Sequence, residues 1–82
     1  MQLYLIKITT GDHAGRYVGP NTGGGYVTNP DVLKNPPQKM ANTKYSSHSW
    51  QRGATHFFEH AAQPVQAELK AAGYGTELVA AE

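Results

Sequence analysis

Two histidines stand four residues apart, His56 and His60, with Glu59 between them. In a helix this spacing places both imidazoles on one face, which is half of a tetrahedral metal site. A third ligand would have to come from His48 or His13, and nothing in the sequence places either residue nearby. The alternative is that His56 and His60 are exposed on a solvated helix face. We favour that second interpretation, and we predict that the chain holds no metal and no other cofactor.

Three serines surround His48, at positions 46, 47 and 49. A hydrolytic enzyme needs a nucleophile, a base and an orienting group that converge in one pocket. Residues adjacent in sequence seldom point toward one another, and the chain has no cysteine and no paired-carboxylate pattern. The three glycines at 23–25 could cradle a phosphate, but no Gly-Lys-Ser/Thr and no immediate helix follows them. We therefore predict a protein that is not an enzyme.

The middle of the chain is basic and the C-terminal part is acidic. Residues 13–56 carry five Arg or Lys and one Asp, whereas residues 57–82 carry one Lys and four Glu. Four aromatic residues lie among the basic ones: Tyr17, Tyr26, Tyr45 and Trp50. Cations for phosphates and rings that stack on bases are what single-stranded nucleic acids require. The excess of four positive charges is mild, however, and also fits scattered surface lysines around a core tryptophan.

Residues 36–54 are the least periodic part of the chain, and we expect an irregular, loop-rich segment there. Such a long irregular segment within a compact domain is usually functional or mobile. Trp, Tyr and Arg dominate the energies of protein interfaces. We therefore predict that this segment contacts a partner, together with the loop tips at 11–15 and 21–25. The predicted contact residues are Tyr45, His48, Trp50, Arg52, Arg16, Lys39 and Lys44.

The element that positions these residues is the apolar run at 2–9, which is rich in β-branched and aromatic residues. Both of its faces are at least partly apolar, which favours an inner strand with neighbours on both sides. The glycines at 11 and 15 predict a hairpin loop with positive φ. Short strands are predicted at 16–18 and 26–28, and a helical turn at 29–33. The sequence therefore predicts a three-stranded antiparallel meander.

A helix is predicted after residue 54, because Phe58, Ala62, Val65, Leu69 and Ala72 recur at helical spacing. Thr55 is its expected N-terminal cap and Gly73 its expected stop. Pro64 predicts either a kink or two helices. A last strand at 76–80 is expected to pair with the first strand, parallel to it, through a right-handed crossover. Numbered along the chain, the predicted strand order is 4-1-2-3 in a fold of the α+β class.

The length of 82 residues predicts a single small domain over residues 1–82. No stretch approaches the roughly 20 apolar residues of a membrane helix, and no signal-peptide pattern is present. We therefore expect a cytoplasmic protein with no membrane contact. The third strand of the meander would be exposed and could pair with a second copy, so a homodimer is one of the open alternatives.

The sequence resembles known proteins in two ways, once locally and once over the whole chain. Residues 6–16, Ile-Lys-Ile-Thr-Thr-Gly-Asp-His-Ala-Gly-Arg, resemble a KOW motif, but Gly19 falls one position late and Pro20 breaks the strand, which favours a convergent hairpin. The whole chain is similar in style to small orphan proteins of bacteriophages. That likeness lies in Tyr-Leu-Ile-Lys-Ile at 4–8, Ala-Gly-Arg-Tyr-Val-Gly at 14–19, Gly-Gly-Gly-Tyr-Val-Thr at 23–28, and the Gly-Tyr and Glu-Leu-Val of the C-terminal part. This resemblance implies a phage-encoded modulator or inhibitor of a host protein, such as defence or transcription machinery, in the host cytoplasm.

The sequence thus favours a small non-enzymatic binding protein whose partner is a host protein. The alternative is an RNA- or single-stranded-DNA-binding module that uses the basic aromatic middle segment.

Overall fold

A computed structural model describes residues 2–20, 36–49, 51 and 54–81 of the chain. The strands are β1 (Tyr4–Ile8), β2 (Tyr17–Pro20), β3 (Gln38–Lys39), β4 (Tyr45–His48) and β5 (Thr76–Ala80). A 3₁₀ turn spans Gly11–His13, and one helix, α1, spans Glu59–Ala71. The five strands form one sheet in the order β3-β4-β2-β1-β5, in which all neighbours are antiparallel. The prediction of an α+β fold is confirmed.

The first strand is an inner strand, as its composition predicts. Leu5, Ile6 and Ile8 are buried, and β1 has β2 on one side and β5 on the other. The loop after β1 contains Gly11 and Gly15 at φ of 73° and 86°, which confirms the predicted need for positive φ.

The hairpin of β1 and β2 opens away from its loop. The two strands share one registered pair, Lys7 with Tyr17. Residues 54–57 then enter the widening gap: the Thr55 N–H donates to the Val18 carbonyl at 3.1 Å, and Phe57 exchanges two 2.8 Å backbone bonds with Tyr4. Nothing in the pattern of the sequence indicates this insertion.

The insertion explains why the helix begins later than predicted. Thr55 is part of the extended backbone beside Val18, so its predicted role as the helix cap is wrong; Phe58 is the N-cap and has no capping side-chain bond. Phe58 is also 45% exposed, whereas its neighbour Phe57 packs on the core. The periodicity predicted the helix correctly, but it assigned Phe58 to the core where the structure has Phe57.

The rest of the helix follows the sequence. It runs through Pro64 as one element, and Gly73, at φ 97°, ends it. The Tyr74 N–H donates to the Leu69 carbonyl and the Gly73 N–H to the Lys70 carbonyl, which is the Schellman arrangement. Among the described residues, no helix is long and apolar enough to cross a membrane.

The last strand does pair with the first, but antiparallel to it rather than parallel. The reason is the short connection after α1: the Gly75 carbonyl accepts a bond from the Thr9 N–H, so β5 enters the sheet at the end where β1 leaves. The predicted order 4-1-2-3 is therefore wrong, since the sheet has five strands in a different order.

The strand beside β2 comes from the segment predicted to be irregular. Residues 36–54 contain both β3 and β4, and β4 pairs with β2 over four residues. The predicted third strand at 26–28, with its suggested role in a homodimer, and the helical turn at 29–33 lie outside the described residues.

The core lies between the sheet and α1. Its fully buried members come from β1, β2, the β3–β4 connection and the helix: Ile6, Ile8, Val18, Met40, Ala62 and Leu69. Half-buried side chains pack around them: Tyr45, Phe57, Val65, Tyr74 and Leu78.

Candidate functional site

The most prominent surface feature among the predicted contact residues is the hairpin of β3 and β4. The Met40 N–H donates to the Tyr45 carbonyl at 3.1 Å, and residues 41–44 form the turn between this bonded pair. Asn42, at φ 66°, and the Thr43 N–H bond to the Met40 carbonyl shape the turn as in type II. We call Lys39 together with residues 41–44 the hairpin tip.

The hairpin is fixed to the body of the protein at three points. The Met40 side chain is fully buried in the core. The Tyr45 hydroxyl donates to the Glu68 carboxylate of α1 at 3.4 Å, and the Tyr74 hydroxyl donates to the Ala41 carbonyl at 3.0 Å. Burial, and then the Glu68 charge and hydrogen bond, raise the pKa of Tyr45, so its hydroxyl remains a donor. The position of the hairpin tip is therefore fixed by contacts with the core, with α1 and with Tyr74.

Most of the hairpin tip is exposed, and it carries two lysines. Lys39, Ala41, Asn42 and Lys44 are all exposed. The Lys44 ammonium lies 5.7 Å from the centroid of the Tyr45 ring, within the range of a cation–π contact. Lys39 and Lys44 are thus the predicted contact residues that the structure leaves accessible.

Arg16 does not lie on this exposed surface. Its Nε donates to the Ser47 hydroxyl and its Nη2 to the Ser47 carbonyl, both at 2.9 Å, and Nη2 also approaches the Pro36 carbonyl at 3.3 Å. His13 Nδ1 lies 2.6 Å from the same hydroxyl, and the His13 ring meets Tyr74 edge-on. The loop after β1 and the start of β2 therefore meet β4 at Ser47, and Tyr74 packs on the far side of His13.

This cluster contains a serine and a histidine at hydrogen-bonding distance, the pair that nucleophilic catalysis uses. Ser47 is completely buried, however, so its hydroxyl faces protein groups and no substrate. The cluster instead fixes the loop after β1 against β4. Sequence analysis placed Ser47 beside His48 and treated His13 as a loop residue; the two partners are 34 residues apart, and no local pattern could join them.

His48, a predicted contact residue, lies inside the protein. It is 7% exposed, and its Nε2 lies 3.2 Å from the Pro20 carbonyl. The imidazole lies so close over Gly19 that a β-carbon at that position would overlap the ring. Burial lowers the pKa of His48; the Pro20 hydrogen bond opposes this effect and the Arg16 charge adds to it. The ring therefore fills space as a neutral group.

The two histidines of the candidate metal pair do not share a helix face. His56 precedes α1, and its Nδ1 lies 3.2 Å from the Ala54 carbonyl, whereas His60 stacks on Phe58 inside the first helical turn. In the described part of the chain, no three His, Asp or Glu side chains form a group able to hold a metal ion.

Two further predicted contact residues, Trp50 and Arg52, lie outside the described residues. Of the other five, Arg16, Tyr45 and His48 make hydrogen bonds within the protein that hold the hairpin, and Lys39 and Lys44 are exposed on it. The predicted contact residues thus divide into those that stabilise the hairpin and those on its exposed basic tip.

No protein-family model, curated protein or solved structure matches this chain. The resemblances to phage proteins and to the KOW motif therefore stay predictions. Function has to be inferred from the residues and their geometry.

Proposed function

We propose that this chain is a small non-enzymatic binding protein that uses the hairpin tip to hold an acidic surface of a larger protein. The observation that supports the proposal is the pair of exposed lysines, Lys39 and Lys44, on a turn that Met40, Tyr45 and Tyr74 anchor. An anchored turn loses little conformational freedom on binding. Exposed charges of one sign steer an oppositely charged partner and fix its orientation.

The resemblance to small phage proteins suggests the class of partner. We propose a host protein, in the defence or transcription machinery, that is modulated or inhibited when its surface is occupied. Such a role requires a shape and a charge pattern, and it needs no catalytic group on this chain.

The proposal is tested by affinity capture from bacterial lysate with matched charge variants. The test variant is Lys39→Glu combined with Lys44→Glu, which reverses the charge of the tip. The control is Lys70→Glu, which reverses one exposed charge on α1, away from the tip. We expect one host protein to be retained, after nuclease treatment, by the wild type and the control but not by the tip variant. Equal retention by all three proteins would contradict the tip as the contact surface.

The second candidate is binding of RNA or single-stranded DNA at the same surface. The Lys44–Tyr45 contact favours it, because a cation beside a ring suits a phosphate and a base. The Tyr45 ring is half-buried and its hydroxyl is bonded to Glu68, which places a carboxylate near the tip. We therefore rank this candidate second.

Salt separates the two candidates. Nucleic-acid affinity falls steeply with rising salt, with a slope set by the phosphates that are neutralised. Titration of a labelled single-stranded RNA at several salt concentrations, with the tip variant alongside, measures that slope directly. Loss of the captured material on nuclease treatment, with a steep slope that the tip variant reduces, would favour nucleic acid.

A further inference from the structure

Among the described residues, one row of backbone groups on the edge strand β5 has no hydrogen-bond partner. The Gly75 carbonyl accepts from the Thr9 N–H and the Ala81 N–H donates to the Leu3 carbonyl, each at 2.9 Å. Bonded and non-bonded residues alternate in an antiparallel ladder. The N–H and C=O groups of Thr76, Leu78 and Ala80 therefore point away from β1, and within the described residues nothing bonds to them.

This edge has few of the features that normally prevent strand pairing. Proteins protect edges with very short strands, lysines or prolines. The opposite edge, β3, has all of these, since it is two residues long, contains Lys39 and follows Pro36 and Pro37. The five residues of β5 include no lysine and no proline, and Glu77 is their one charged residue. Within the described residues, the β3 edge is thus protected against pairing and the β5 edge is accessible to it.

We propose that β5 pairs with β5 of a second copy of this chain, antiparallel and centred on Leu78. In this register Thr76 faces Ala80 of the other copy, and the two Leu78 residues face each other. Each outward N–H of the three residues then donates to an outward carbonyl of the other copy. The three residue pairs exchange two bonds each, which gives six hydrogen bonds across the contact. The result is one continuous ten-stranded sheet.

The charges on the strand select this register. A pairing centred on Glu77 would place two carboxylates directly opposite each other, which destabilises a strand pair. Centring on Leu78 places each Glu77 opposite Val79 of the other copy. The two Leu78 side chains, which pack on the core from the helix side of the sheet, gain an apolar neighbour across the axis.

The helix adds area to this contact. An open groove of about 430 Å³ runs beside the start of β5 on the helix side, and its walls include Gln66, Ala67, Lys70 and Thr76. A strand added at this edge is flanked by that side of α1, and the two-fold axis brings the two helices together. A stable dimer needs roughly 1,000 Å² of buried surface, more than a strand pair alone supplies.

Dimerisation at β5 does not depend on the proposed partner, because the hairpin tip lies at the opposite edge of the sheet. The dimer would present two basic tips at the two ends of the extended sheet. A multimeric or repetitive target would then be bound with avidity.

Sedimentation equilibrium of the full chain tests the proposal with two proline variants. Ala80→Pro removes an outward N–H and breaks no bond to β1, and Lys39→Pro makes the same change at the edge of β3. We expect the mass of the wild type and of Lys39→Pro to rise with concentration from 8.9 kDa toward twice that value. For Ala80→Pro, which loses two of the six bonds, we expect the dissociation constant to increase roughly tenfold or more. A wild type that stays at 8.9 kDa, or equal constants for the two variants, would overturn the proposal.

Amide exchange in the unmodified protein gives a second test that no folding defect can obscure. The amides of Thr76, Leu78 and Ala80 face solvent in the monomer, so we expect their exchange to slow as protein concentration rises. The Lys39 amide, which faces outward at the other edge, should not change. Exchange at all four amides that is independent of concentration would also overturn the proposal.

Discussion

The two edges of the sheet are held to the protein in different ways. The β3–β4 edge has one fully buried apolar side chain, Met40, and its other buried residues are Ser46, Ser47 and His48. The β5 edge is held by a five-residue backbone ladder to β1 and by Leu78 on the core.

The difference shows how two short strands acquire different roles. The buried polar side chains Ser47 and His48 need partners at hydrogen-bonding distance, so they fix the position of the hairpin. The two lysines of the tip remain exposed. A backbone ladder uses only half of the groups of β5, and the other half remains available. The β3–β4 edge thus holds the hairpin tip in position, whereas β5 keeps outward backbone groups that a further strand could bond.

The largest effect should come from the one apolar anchor of the hairpin edge. We expect Met40→Ala to lower the free energy of unfolding by about 2–5 kcal/mol, because a fully buried side chain leaves a cavity. Urea denaturation measures the loss. Leu78→Ala is the matched change at the other edge, and its loss should be smaller since Leu78 is half-buried. An equal or larger loss for Leu78→Ala would show that the apolar contacts of the two edges do not differ as described.

The next largest effect should come from the polar anchor. Ser47→Ala leaves Arg16 Nε and His13 Nδ1 without their shared oxygen, and we expect a loss of about 1–3 kcal/mol in urea denaturation. Ser49→Ala, at an exposed position two residues away, should stay within about 0.5 kcal/mol of the wild type. If Ser47→Ala behaved like Ser49→Ala, the buried cluster would not hold the hairpin edge.

The sequence predicts some elements of the fold from local patterns and cannot predict others that depend on distant contacts. The apolar run at 2–9 and the Gly73 stop are local patterns, and both predicted their elements correctly. The strand β4, with the sequence Tyr-Ser-Ser-His, has polar residues at buried positions. Its stability depends on Arg16 and His13, which are far away in the chain, so no window of sequence around it could indicate a strand.

Distant tertiary contacts also decide which of the predicted contact residues are exposed, and the role of these residues in binding stays a prediction. Tyr45, Arg16 and His48 have the composition of an interface, and their polar atoms find partners inside the protein instead. Lys39 and Lys44 have no such partners in the described part of the chain apart from the Tyr45 ring, and they remain exposed. Residue type alone does not distinguish the residues that support the hairpin from those that it exposes; only the tertiary contacts do.

The smallest expected effect is a dependence of stability on pH that originates at the hairpin edge. The pKa of His48 is lowered below its ordinary value of 6.5 in the folded protein, chiefly because the ring is buried over Gly19. As pH falls through 6.5, the unfolded chain binds a proton that the folded chain does not yet bind, so stability decreases. Above that pH both states are neutral at His48 and the contribution is constant. One proton limits the slope to about 1.4 kcal/mol per pH unit.

Thermal unfolding followed from neutral to acidic pH measures this slope in three proteins. His48→Gln retains a donor for the Pro20 carbonyl but cannot titrate, so we expect a flatter profile below pH 6.5 than in the wild type. His60→Gln, at an exposed position of α1, should leave the wild-type profile unchanged. The same slope in His48→Gln as in the wild type would place the pH dependence elsewhere. The buried imidazole over Gly19 would then not be the group that couples the stability of the hairpin edge to pH.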